Sequence, residues 1–167
     1  MLIDISKILM KKGETLLFDA EEIITEADNY PDVHRFLQPV RVSGTVTNVK
    51  GSFEVCAKCG TKLVMSCSCC LEPVEVEVEF DLDEIYSNTG NEEEAETFAG
   101  EEIDLTSAIE RNLLLNLPMK VTCKEDCKGL CPICGSNLNQ GDCGCDTTVI
   151  DPRFESLRSL FKLDEEV

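Results

Sequence analysis

Val74-Glu75-Val76-Glu77-Val78-Glu79-Phe80-Asp81 sets apolar residues against acidic ones without a break. An extended chain points alternate side chains to opposite faces, so this stretch predicts a strand with one buried and one acidic face. Alternation of that kind belongs to an antiparallel sheet that is wet on one side. Moving toward the N-terminus, Leu71-Glu72-Pro73 reads as a turn, Leu63 to Cys67 and Phe53 to Cys56 as strand, and Lys50-Gly51-Ser52 as a hairpin turn. Val40 to Val49 alternates again through Val40, Val42, Gly44 and Val46. Strands joined by such short turns predict an antiparallel meander. Cys56-Ala-Lys-Cys59-Gly60 is expected to interrupt the middle strand, which would place both of its Cys-x-x-Cys pairs at bends.

The flanks are read more coarsely. Leu2 to Leu9 suggests a first strand, Glu14 to Phe18 a second, and Asp19 to Ile24 one or two helical turns. Asn29 to Pro39 has loop chemistry and carries the one histidine, His34, expected as an exposed loop residue and not a ligand. On the other side, Ser87 to Glu102 is an acidic loop with little to bury. A helix begins at Asp104, takes a capping box from Ser107 and Glu110, and stops at Pro118. Its leucines suit a helix packed across the meander. Asp151-Pro152 opens a short final helix with Phe154, Leu157, Leu160 and Phe161 on one stripe. The fold class is therefore α+β: an antiparallel β-meander or partly closed barrel with a packed helix, a small Cys-rich zinc module and a short C-terminal helix. The expected domains are residues 1–120 and residues 121–167.

Composition narrows the functional classes. The 167 residues are 43% hydrophobic and carry a net charge of −18. No apolar run approaches the roughly 18 residues of a membrane span, and the start lacks a basic segment followed by an apolar one. A cytoplasmic, reducing location is expected, with no membrane partner. From Leu63 to Glu110 there are fifteen acidic residues and no Lys or Arg. Nucleic acid would be repelled there, since its affinity comes mainly from cations on phosphates, while a basic protein would be attracted.

Eleven cysteines occur, ten of them in two groups. One runs Cys123, Cys127, Cys131, Cys134, Cys143, Cys145. The other holds Cys56, Cys59, Cys67 and Cys70, with Cys69 left over. In a reduced compartment such groups bind metal more often than they form disulfides, and four thiolates suit a closed structural zinc site. Cys123, Cys127, Cys131 and Cys134 are the favoured set in the second group, with Cys143 and Cys145 able to replace one or two of them. Cys56, Cys59, Cys67 and Cys70 are expected to form a small ribbon site across a hairpin. The alternative is that Cys67 and Cys70 join cysteines of the second group. One or two zinc ions are therefore expected. A thiol oxidoreductase is disfavoured, because neither pair opens a helix of a parallel βαβ unit and nearby acids would raise the thiol pKa values. No catalytic triad, phosphate loop or small-molecule site stands out, so no enzyme activity is expected.

Three segments carry a resemblance. They are Cys67-Ser-Cys-Cys70-Leu71-Glu72-Pro73-Val74, then Asp104-Leu-Thr106 running into Leu113-Leu-Leu-Asn-Leu-Pro118-Met119-Lys120, then Cys123 to Asn139 with Asp151-Pro152-Arg153-Phe154. In this order they resemble the YceD family of large ribosomal RNA subunit accumulation proteins, in the form found in Gram-positive bacteria, over roughly residues 1 to 163. The resemblance implies a non-enzymatic ribosome-biogenesis factor that supports accumulation of large-subunit ribosomal RNA. Its implied partners are a ribosomal protein or pre-ribosomal particle, with large-subunit rRNA as a further contact. The family places a basic residue where Cys69 stands, and ordinary strand residues where Cys56 and Cys59 fall. Direct RNA contact by such a factor would fall to Lys58, Lys62, Lys120, Lys124 and Lys128. Two other readings compete: a zinc-dependent RNA-binding module using the lysines around Cys123 to Cys134, and a thiol or metal sensor.

Overall fold

The computed structural model describes residues 1–24, 27–88 and 95–146. The final helix expected from Asp151, and Glu92 to Glu94 of the acidic loop, lie outside the described residues.

Three long strands form the frame: β4 (Val40–Val49), β5 (Ser52–Ser66) and β6 (Pro73–Ser87). They pair as the antiparallel meander the alternation predicts. Lys50 and Gly51, with φ of 59° and 111°, make the tight turn between β4 and β5. Their inner faces line up in rows, Val42 beside Cys59 beside Phe80, then Gly44 beside Ala57 beside Leu82. Glycine is required at the second row. A Cβ on Gly44 would lie 2.2 Å from the Cys56 carbonyl oxygen and 2.5 Å from the Ala57 Cα.

β2 (Thr15–Glu22) extends the sheet beyond β4, and its register runs from Thr15 opposite Thr47 to Glu22 opposite Val40. The helical turns expected over Asp19–Ile24 are thus strand as far as Glu22. Pairing turns Phe18 and Ala20 onto the inner face, and tertiary burial overrides local preference. A second strand replaces part of the expected loop: β3 (Val33–Phe36) pairs with β5 at Leu63–Met65, next to where β4 leaves it. His34 lies on β3, exposed as expected, with Nε2 2.8 Å from Ser66 Oγ. The short β7 (Glu96–Thr97) runs parallel to the end of β6. The strand order is β2-β4-β5-β6-β7, with no closure into a barrel among the described residues.

A second layer covers the inner face. β1 (Leu2–Asp4) pairs with β8 (Glu102–Asp104), and α1 (Thr106–Asn116) follows. Ala108, Ile109 and Leu113 of α1 pack with Ile3, Ile103 and Leu105 over Val42, Val55, Leu63 and Leu82. Arg111 keys the helix to the sheet, reaching Glu84 at 2.8 Å and Glu96 at 2.7 Å, while Asn112 donates to the same Glu84. The helix start is set differently from the capping box expected at Ser107 and Glu110. Asp104 accepts from the amide and hydroxyl of Thr106 at 2.9 and 2.7 Å, ahead of the first turn. Asn48, 1% exposed, donates to the Ile8 and Leu9 carbonyls and accepts from the Gly51 amide, so this buried asparagine ties the segment after β1 to the β4–β5 hairpin. No helix among the described residues is long and apolar enough to cross a membrane.

Candidate metal centres

The β5–β6 connection is built from Cys67 to Glu72. The Cys67 amide donates to the Glu72 carbonyl at 2.8 Å, and the Leu71 amide donates to the Cys67 carbonyl at 2.9 Å. Closing that turn takes Leu71 to φ 63°. The same construction recurs at Cys131. Its amide donates to the Ser136 carbonyl at 2.8 Å, the Gly135 amide returns to the Cys131 carbonyl at 2.8 Å, and Gly135 has φ 73°. Each turn presents two sulfurs, three residues apart in sequence, to one side.

Each turn then acquires a second pair. Cys67 and Cys70 meet Cys123 and Cys127, and Cys131 and Cys134 meet Cys143 and Cys145. Within each group all four sulfurs lie within 4.8 Å of one another. Cys70 Sγ is 3.6 Å from Cys123 Sγ, and Cys67 Sγ is 3.9 Å from Cys127 Sγ. A tetrahedral ion bonded to four sulfurs at about 2.3 Å holds them about 3.8 Å apart. A disulfide needs about 2.05 Å, and all eleven cysteines are unbridged. The spacing therefore fits an ion between the sulfurs and not a bond between them.

The surrounding donors fit the same chemistry. The Cys123 amide donates to Cys67 Sγ and Asn139 Nδ2 donates to Cys127 Sγ, both at 3.3 Å. Backbone amides of Cys69 and Cys70 hold the Cys67 thiol down at about 6. The hydroxyl and amide of Ser136 do the same for Cys134, at about 6. The partners move the other way. Cys123 is pushed up to about 12 by the adjacent Cys70 sulfur and by burial, and Cys145 to about 12 by Cys134 and Cys143. Each group loses its first proton readily and resists losing its last, because thiolates at this spacing repel one another. A dication at the centre removes that repulsion.

The expected ligand sets are redistributed. Cys123, Cys127, Cys131 and Cys134, favoured as one set, are divided two and two between the groups. Cys67 and Cys70 join the first two, which is the alternative the sequence left open. Cys56 and Cys59 belong to neither group. β5 runs unbroken through both, paired with β4 on one side and β6 on the other. Three residues apart on a strand, their side chains leave opposite faces. Cys56 is exposed beside Asp83, and Cys59 is 4% exposed in the core between Val42 and Phe80. Burial, with Asp81 adding to it, raises the Cys59 thiol to about 11. Cys69 also stands outside the groups, and its carbonyl accepts from the Leu130 amide at 3.1 Å. Sequence reasoning missed Glu72, Asn137 and Gln140, which link the two turns, and Ser68 and Asn139, which bond Val121 and the Cys127 sulfur. Isolated polar residues in a turn-rich segment give no signal until the chain closes on itself.

The family model for "Large ribosomal RNA subunit accumulation protein YceD" matches residues 55–161. Among curated proteins the chain is similar to uncharacterized protein Rv2926c of Mycobacterium tuberculosis and uncharacterized protein Mb2951c of Mycobacterium bovis. Each is 36% identical over 101 residues, covering 56% of this chain and 48% of the relative. The chain thus spans about half the length of the curated relatives it matches. No solved structure matches. With the model matched from β5 through α1 and both sulfur groups, well over half of the chain, the chain belongs to the YceD family.

Proposed function

We propose that the protein is a non-enzymatic ribosome-biogenesis factor supporting accumulation of large-subunit ribosomal RNA, and that each sulfur group holds one zinc ion in a structural role. The family match over residues 55–161 carries the reading. Zinc is the ion that four thiolates in tetrahedral array, without an open position, take most commonly. It would substitute for a core in residues 121–146, where only Val121, Gly129 and Cys131 are buried.

The outer face of β6 supports a basic protein partner. Glu75, Glu77, Glu79, Asp81 and Asp83 form one exposed column, spaced about 6.7 Å apart along the strand. Lys62 pairs with Glu77 and Lys58 stands opposite Asp81, but Glu75, Glu79 and Asp83 face Val64, Gly60 and Cys56. At physiological salt, with a screening length of about 8 Å, neighbouring carboxylates still act together on an approaching cation.

The test is made in a cell carrying this gene as its sole copy. Depletion is expected to lower large-subunit rRNA relative to small-subunit rRNA. Wild type is expected to restore it, while a folded Glu75→Gln/Glu79→Gln/Asp83→Asn variant does not and no longer cosediments with large-subunit precursors at low salt. An unchanged rRNA ratio on depletion overturns the reading. Full rescue by the triple variant, together with loss of RNA gel-shift in Lys124→Ala/Lys128→Ala, moves the contact to the exposed lysines of the thiol-rich segment.

A further inference from the structure

We infer that the two metal sites do different work: the Cys67/Cys70/Cys123/Cys127 site is a clasp joining the C-terminal segment to the sheet, and the Cys131/Cys134/Cys143/Cys145 site is a local staple that loads without it. The inference rests on the zinc reading above and adds a division of roles to it.

Chain topology separates the sites. The clasp draws two sulfurs from the end of the β5–β6 hairpin and two from beyond α1, at sequence separations of 53 for Cys70 and Cys123 and 60 for Cys67 and Cys127. The staple takes all four from residues 131–145. Closing a long loop costs more conformational entropy than closing a short one, so the staple is the site the segment forms unaided. The clasp's sheet-side cysteines are buried, Cys67 at 0% and Cys70 at 4%, while Cys123 is exposed and Cys127 intermediate; in the staple only Cys131 is buried, with Cys134 exposed and Cys143 and Cys145 intermediate.

The contacts across this junction gather around the clasp. The Ser68 amide donates to the Val121 carbonyl at 2.7 Å, and the Val121 amide returns to Ser68 Oγ at 3.1 Å. The Leu130 amide reaches the Cys69 carbonyl. Glu72 accepts from Asn137 and Gln140 at 3.1 and 3.3 Å, which ties the sheet-side turn to the staple's own loop. Gly129, at φ 73°, lets this happen, since a Cβ there would come within 3.0 Å of the Cys69 carbonyl oxygen. A few exposed or half-exposed hydrogen bonds of this kind hold a segment weakly without the ion they surround.

The experiment compares the full chain with Cys123→Ser/Cys127→Ser and Cys143→Ser/Cys145→Ser. It measures zinc per chain by elemental analysis and amide exchange at Ser68 and Leu130. Two ions are expected in wild type and one in each variant. Exchange at both amides is expected to accelerate at least about tenfold in the clasp variant and to stay near wild type in the staple variant. Loss of both ions from either variant overturns the division of roles, since the sites then load as one unit. One ion in each variant, with Ser68 and Leu130 still protected in the clasp variant, overturns the clasp. No ion in wild type defeats the zinc reading itself. Asn137→Ala/Gln140→Ala touches no sulfur and guards against misfolding of the cysteine variants. It is expected to keep two ions and protection at Ser68, and loss of an ion from it counts against the inference.

Discussion

Leu71 and Gly135 occupy the same position in two turns of the same construction, and only one of them suits it. The left-handed region costs a residue with a Cβ about 1 kcal/mol, and Leu71 gains little in return, with 62% of its surface exposed. Leu71→Gly is therefore expected to raise the unfolding free energy by about 0.5–1 kcal/mol, the gain trimmed by the greater freedom of glycine in the unfolded chain. Urea denaturation at constant zinc checks it, and a lowered midpoint would show that the Leu71 side chain contributes packing that its exposure hides. A glycine after Cys-x-x-Cys is not a sufficient sign of a metal-binding turn. Gly60 follows Cys59 and suggests a metal-binding turn, yet it lies in mid-strand. Leu71 follows Cys70 without a glycine's signal, and there the turn read from Leu71-Glu72-Pro73 does form.

Strand pairing decided between those two turns. β5 is hydrogen-bonded on both sides along Cys56–Gly60, and breaking into a turn would forfeit pairing with β4 and β6 together. At Cys67 pairing has ended, with Ser66 opposite Pro73, and the chain is free to fold back. β4 and β6 were legible because one face of each is wet and their sequences alternate. β3 was not, since Val33 and Phe36 are too few to show a period and its stability comes from lying beside Leu63–Met65. The packing of β4 on β5 yields a sharp expectation. Gly44→Ala puts a methyl group into backbone atoms of the neighbouring strand and should destabilise by about 2 kcal/mol or more. Thermal unfolding checks it, and a shift under about one degree would mean that β5 moves aside at no cost.

At the scale of the whole molecule, the fold class was legible and the grouping of the sulfurs was not, because the clasp depends on a contact across more than fifty residues that only the folded chain reveals. The core also sets an alkaline limit. Burial raises Cys59 from 9.0 to about 11 and Tyr30 from 10.0 to about 12, and it raises Tyr86 as well. The unfolded chain releases these protons first, so their contribution is whole below pH 9 and falls as pH rises toward 12. Unfolding free energy measured by urea should decline through that window, and Cys59→Ala should remove on the order of 2 kcal/mol of the decline between pH 9 and 11. An equal slope in the variant would mean that Cys59 ionises in the folded protein without penalty. The separation of the clasp's two halves reaches back further still, to the order of synthesis. Cys70 leaves the ribosome 53 residues ahead of Cys123, an interval of about 3–10 s at about 5–20 residues per second. For those seconds a growing chain carries half a metal site, and Cys67 and Cys70 must stay reduced and unclaimed until their partners emerge.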